Sequence, residues 1–161
     1  MTIVDKIINS IQAELGADFP VYYHDDATLN LMTREMEFPC AIVMLLTQGR
    51  PIREGLQIKE RVTAAVFFVE KSQFDFDAVQ NEAIIDRCKK RAFQWLGALG
   101  ADPWLTLAAE NSSSRTYNRY DDILTGYGVN VDLVEVEGFA GCPAVGGDFN
   151  SDFNNDFLIA I

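Results

Sequence analysis

Residues 58–70 read Ile-Lys-Glu-Arg-Val-Thr-Ala-Ala-Val-Phe-Phe-Val-Glu, polar in the outer half and apolar in the inner half. The run has the residue types of a strand from about Ile58 to Glu70. Its solvated half carries Lys59, Glu60 and Arg61, and its buried half is Ala64 to Val69. Upstream, a loop with Gly49, Pro51 and Gly55 carries Arg50, Arg53 and Glu54. Before that loop, Cys40-Ala41-Ile42-Val43-Met44-Leu45-Leu46 reads as a strand buried on both faces. Together these segments describe a long hairpin whose tip, Gln48 to Glu60, projects beyond the core into solvent or a neighbour.

Helical signals flank the hairpin. Thr2 and Asp5 form a T-x-x-D capping box, and Val4, Ile7, Ile8, Ile11 and Leu15 recur at helical spacing until Gly16 stops the helix. Phe19 to Tyr23 is a short strand, with Pro20 favouring an edge or a first residue, and residues 25 to 37 are a mixed, polar connection. A second helix spans about Asp77 to Leu99. Two start signals compete for it: Asp77 with Gln80 as a capping box, or Asp75 with Phe74 and Val79 as a hydrophobic staple. Ile85, Cys88, Ala92, Leu96 and Leu99 form its buried stripe, and Gly97 or Gly100 ends it.

Strands return after that helix. Trp104 to Ala109 is one, followed by a polar break at Glu110 to Ser114. Arg115 to Leu124 is another, with Gly126 marking the turn out of it. Val129, Val131 and Leu133 alternate, whereas Val134 and Val136 fall in the opposite phase; a bulge near Leu133 or burial of both faces would account for the slip. The expected fold is α+β: a mixed, mostly antiparallel sheet of about five strands packed by two main helices, with an extended C-terminal tail. The domain covers residues 1–138 and the tail residues 139–161.

The 161 residues carry 24 acidic and 13 basic side chains, a net charge of −11, which disfavours specific binding of a polyphosphate partner. No apolar run approaches the ~18 residues of a membrane span. Asp5 and Lys6 interrupt the first apolar stretch, so a chain that stays in the cytoplasm is expected. Cys40, Cys88 and Cys142 have neither disulfide nor zinc spacing, and Cys40 and Cys88 read as small core residues.

Several constellations invite a chemical reading. His24, the only histidine, stands beside Asp25 and Asp26, the pattern of a carboxylate-oriented general base, but no nucleophile motif accompanies it. A surface turn after a strand is the plainer reading. Asp148, Asn150 and Asp152 match the first half of a calcium loop, yet Phe153 replaces the turn glycine and the final glutamate is missing. No phosphate loop or dinucleotide fingerprint occurs, so neither a catalytic residue nor a cofactor or metal is expected. Arg87, Lys89, Lys90 and Arg91 read as a solvated helix face or one half of a charged subunit interface. Tyr117, Arg119 and Tyr120 have the residue types of an interface core, although an ordinary exposed sheet face fits them too. The tail repeats a D-F-N-x unit that spaces Phe149, Phe153 and Phe157 by four, and such a tail cannot bury three phenylalanines by itself. The expected interface is therefore Arg50, Arg53, Glu54, Lys59 and Arg61 on the hairpin, Tyr117, Arg119 and Tyr120, and the three tail phenylalanines.

In element order, size and acidity, residues 1 to 138 resemble the tail-terminator and tail-completion proteins of tailed bacteriophages. The likeness is carried by the opening helix Ile3 to Leu15, Phe38-Pro39-Cys40-Ala41-Ile42-Val43 entering a buried strand, and the hairpin Gln48 to Lys59. The helix Asp77 to Leu99 and the strands Arg115 to Leu124 and Val129 to Val136 complete it, while the D-F-N tail departs from the pattern. The resemblance implies a non-enzymatic virion protein, assembled in the host cytoplasm, forming a ring that is usually hexameric. Such a ring caps the tail tube and meets the head-side connector, and its acidic lumen would let DNA slide past. A head–tail connector or other adaptor ring is the second reading, and a small enzyme using His24 the third.

Overall fold

The computed structural model describes residues 1–24, 35–47, 49–73, 77–108, 113–119, 123–136 and 139–140. Helix α1 is Ile3–Leu15, and its capping box is complete. Thr2 Oγ1 accepts from the Asp5 N–H at 3.1 Å, and the Asp5 carboxylate accepts from the Thr2 N–H at 2.8 Å. Helix α2 is Ala78–Ala98. Of its two start signals, the capping box operates: Asp77 accepts from the Gln80 N–H at 2.8 Å, and Gln80 accepts from the Asp77 N–H at 2.9 Å. At the other end Gly97 lies inside the helix and Leu99 is the capping residue.

The strands are β1 (Val21–Tyr23), β2 (Cys40–Leu45), β3 (Arg50–Glu54), β4 (Gln57–Lys71), β5 (Leu105–Leu107), β6 (Ser113–Arg119), β7 (Leu124–Glu135) and β8 (Phe139–Ala140). Among the described residues all join one sheet, in which only β1 with β2 is parallel. The fold is thus α+β with a mixed, mostly antiparallel sheet, as expected. Eight strands occupy only five columns, and the register shows why. Arg61 of β4 pairs with Arg50 on one side and Val134 on the other, so β2 and β3 share one edge of β4 while β7 takes the opposite edge. Ile58 pairs with both Arg53 and Phe139, which puts β8 beyond the end of β7. β5 and β6 lie end to end along the far edge of β7.

Both helices cover one face of the sheet. Ile3, Ile7 and Ile11 of α1 and Ile84, Ile85, Cys88, Ala92 and Trp95 of α2 pack on Ala41, Val43, Val62, Ala64, Val66, Phe68, Val129, Val131 and Leu133. The centre is Trp95, fully buried, with its ring 6.2 Å from Phe68 and its indole N–H donating to the Ser10 hydroxyl at 2.9 Å. The opposite face carries a smaller cluster around Cys40, Ile42, Met44, Ala65, Val69 and Leu124. That arrangement explains why β2 is apolar at every position. Burial pushes the thiols of both Cys40 and Cys88 up to about 12, as befits core residues.

Two expectations about the last strands need correction, and a third is decided between its two alternatives. Gly126 is no turn: it sits inside β7, paired with Val69 and Thr116. A Cβ there would strike the Phe68 carbonyl oxygen and come within 2.9 Å of Val69 Cα, so glycine admits the neighbouring backbone. The run Arg115 to Leu124 is not one strand, because β6 ends at Arg119 and Leu124 opens β7, with Ile123 at φ 52° just before it. Finally, the β4–β7 register runs unbroken past Leu133, and the phase slip reflects burial of both faces: Leu133, Val134 and Glu135 are all buried. The irregularity in this part of the sheet lies on β6, between Thr116 and Arg119.

Candidate assembly surface

The two strands of the hairpin are joined by Gly55 and Leu56, with Glu54 paired to Gln57. Gly55, at φ 62°, takes the first position of this two-residue turn, where a left-handed residue matches the strand twist. Beyond Arg61 the hairpin leaves the helix-covered layer, and nearly all of its side chains are exposed or half-exposed. It forms an arm two strands wide, with β8 paired to Gln57 and Ile58 near its end.

Alternation sorts the arm into two surfaces. On one, Lys59 pairs with Glu54 at 2.8 Å, and Arg61 donates to Asp132 at 2.6 Å. Thr63 donates to the other oxygen of Asp132 at 2.6 Å; this bond, then that of Arg61, holds the Asp132 carboxyl below its ordinary value. On the other surface, Pro51, Ile58, Glu60 and Glu135 line a cleft of about 240 Å³ at the root of the arm. Glu135 is buried there, paired with Lys6 of α1 and accepting from the Glu60 N–H at 3.0 Å. These two anchors fix the arm's root to β7 and α1. The tip itself is apolar: Leu56 is 81% exposed and Ile58 46%.

The structure therefore brings five of the expected interface residues together on the arm. Arg50, Arg53 and Glu54 are exposed, whereas Lys59 and Arg61 are half-buried in the ion pairs just described. Tyr117 and Arg119 lie elsewhere. Arg119 pairs with Leu124, which pairs with Lys71 at the end of β4 farthest from the tip, so β6 forms a separate surface. Tyr120, Phe149, Phe153, Phe157 and the calcium-like Asp148, Asn150 and Asp152 lie outside the described residues. The backbone N–H of His24 donates to Val43 at 3.1 Å and its ring stacks 6.4 Å from Tyr22; Asp25 and Asp26 are likewise outside the described residues. Among the described residues no cluster of His, Cys, Asp and Glu could hold a metal ion, and no helix is long and apolar enough to cross a membrane.

Sequence reasoning missed Leu56 and Ile58 as the apolar content of the tip, although an apolar residue after a turn glycine was a visible signal. It also missed a groove on the outer face of α2, where Phe93 is 52% exposed between Lys89, Lys90 and Gln94. Phe93 falls outside the buried stripe of α2, and that was its signal. Of the basic cluster on α2, Arg87 and Arg91 turn to Glu70 of β4 at 2.7 and 2.6 Å, leaving Lys89 and Lys90 without a carboxylate partner among the described residues. No protein-family model and no curated protein matches the chain.

Proposed function

We propose that this chain is a structural, non-enzymatic virion assembly protein of a tailed bacteriophage. It forms a closed homo-oligomeric ring, hexameric by resemblance, that caps the tail tube and meets the head-side connector. The observation that carries the reading is the arm. Residues 50–61 hold four basic and two acidic side chains; with Lys59 paired to Glu54 and Arg61 to Asp132, Arg50 and Arg53 remain against Glu60, an excess of positive charge on a chain whose total is −11. A positive arm with an apolar tip is complementary to the acidic remainder of a second copy. Because arm and acceptor are different surfaces, the contact is heterologous and must close into a ring or grow into a filament. The negative charge left to the ring as a whole suits a passage that DNA must traverse without adhesion.

Light scattering on the purified chain gives the deciding mass. A discrete multiple of 18.0 kDa is expected, with hexamers or a shift to hexamers on added tail tubes. A monomer under both conditions at tens of micromolar would overturn the reading.

A further inference from the structure

Strand β8 runs antiparallel to β4, from Phe139 opposite Ile58 to Ala140 opposite Gln57, so it heads toward the tip of the arm. The chain therefore passes its last described residue pointing away from its own helices, with 21 residues still to come. Those residues contain Asp148, Asp152 and Asp156 interleaved with Phe149, Phe153 and Phe157, and no basic side chain. A segment of alternating acids and aromatics calls for a surface that offers cations around an aromatic ring.

The groove on α2 is such a surface. Asp86, Lys89, Lys90 and Phe93 follow each other at helical spacing, and Gln94 completes the lining. Lys89 Nζ stands 5.3 Å over the Phe93 ring, and Phe93 meets Tyr127 at 5.9 Å with the two rings at right angles, while 52% of Phe93 stays exposed. Asp86 closes one end of the groove and repels an acidic ligand there, which directs the ligand's carboxylates to Lys89 and Lys90.

We propose that this groove receives residues 147–161 of a second copy of the chain, Phe149 or Phe153 packing on Phe93 and the flanking aspartates pairing with Lys89 and Lys90. The reach of the tail selects the second copy. Phe93 rests on Tyr127, whose β4 partner Phe68 is eleven residues from Gln57, about 36 Å along the strand at ~3.3 Å per residue. Nine residues link Ala140 to Phe149, about 31 Å at full extension, and the chain starts in the wrong direction. Phe149 cannot return to its own groove, and Phe153 could do so only with the tail drawn nearly straight; Phe157, seventeen residues on and about 58 Å at full extension, could reach either groove, so the selection rests on the first two phenylalanines. The inference rests on the ring reading, because it supplies the contact between successive copies.

The test uses charge reversal in the full-length chain. K89E/K90E and D148K/D152K/D156K are each expected to raise the concentration of half-assembly by about tenfold or more, with monomer melting unchanged. An equimolar mixture should assemble like the parent, since each variant's tail then matches the other's groove. Phe93→Ser should weaken assembly with no charge partner to rescue it. If the reversed chains assemble normally, the docking is wrong while the ring stands. If each fails and the mixture also fails, the tail does not dock on a neighbour's groove. A parent that stays monomeric removes both readings.

Discussion

The inner and outer halves of β4 belong to one strand and are held by opposite means. From Val62 to Val69 the strand lies under two helices, and its contacts are Trp95, Ile7 and the apolar face of β7. From Gln57 to Arg61 it is held by hairpin partners on one side and by ion pairs with Asp132 and Glu54. Surface pairs of that kind contribute about 0–1 kcal/mol each, whereas a buried aromatic contributes several times as much. Folding should therefore depend on the inner half almost alone, which leaves the outer half free to serve contacts between molecules. Substitutions along this gradient should show a falling effect on monomer melting.

The largest effect is expected from Trp95→Ala. It removes the biggest fully buried side chain and leaves the Ser10 hydroxyl without its donor. A loss of about 3–5 kcal/mol is expected, read as a fall in the urea midpoint with the slope unchanged. A change under ~1 kcal/mol would mean that the helix-covered face does not carry the fold.

Gly126→Ala comes next. Its new methyl would collide with the Phe68 carbonyl, and backbone is harder to displace than a side-chain end. About 1–3 kcal/mol should be lost, with amide exchange accelerated along the β4–β7 ladder. Unchanged exchange at Val69 and Thr125 would argue that β7 passes farther from β4 than the register implies.

Glu70→Gln probes an ion pair at the far end of the inner half, where β4 meets α2. Burial alone would raise the Glu70 carboxyl, but the hydrogen bonds from Arg87 and then Arg91 outweigh it and hold it below its ordinary value. A carboxylate lowered on folding adds stability that is complete above its unfolded pKa of about 4.3 and disappears as pH falls through the folded value. Glu70→Gln should thus cost about 1–2 kcal/mol at pH 7, and the gap to the parent should narrow below pH ~4. A gap that stays constant down to pH 2 would remove the ion pair as its cause.

Local signals in the sequence were legible because their physics is local. The α1 capping box, the stop at Gly16 and the all-apolar β2 were read correctly from a few neighbouring residues, and the α2 capping box was one of the two starts the sequence offered. Gly126 was misread as a turn because its reason is tertiary: the glycine makes room for Phe68, a residue 58 positions away that no local pattern names. The α2 stripe was read through Leu96, while the residue that reaches the centre of the core is Trp95, fixed by Ser10 of the other helix. On the arm the charged residues were visible in the sequence. What could not be read there was that Lys59 and Arg61 spend their charges on Glu54 and Asp132, leaving Arg50, Arg53 and the apolar tip as the accessible part.

The smallest effect on melting, and the largest on assembly, should come from the tip. Leu56 and Ile58 gain little from their own fold, since one sits on a turn and the other keeps nearly half its surface. Replacing both with serine should leave monomer stability within about 0.5 kcal/mol, as for most surface substitutions. On a neighbour, by contrast, two apolar side chains entering a dry contact contribute on the order of 1.5–3 kcal/mol each. Their loss at every interface of a ring would compound around the circle. The double variant should therefore run as a monomer where the parent forms a ring, and removing the whole tip from Gln48 to Glu60 should do the same. Leu56 and Ile58 replaced with assembly intact would show that the arm is a solvated loop. The contacts of the ring would then have to be sought on β6 and α2.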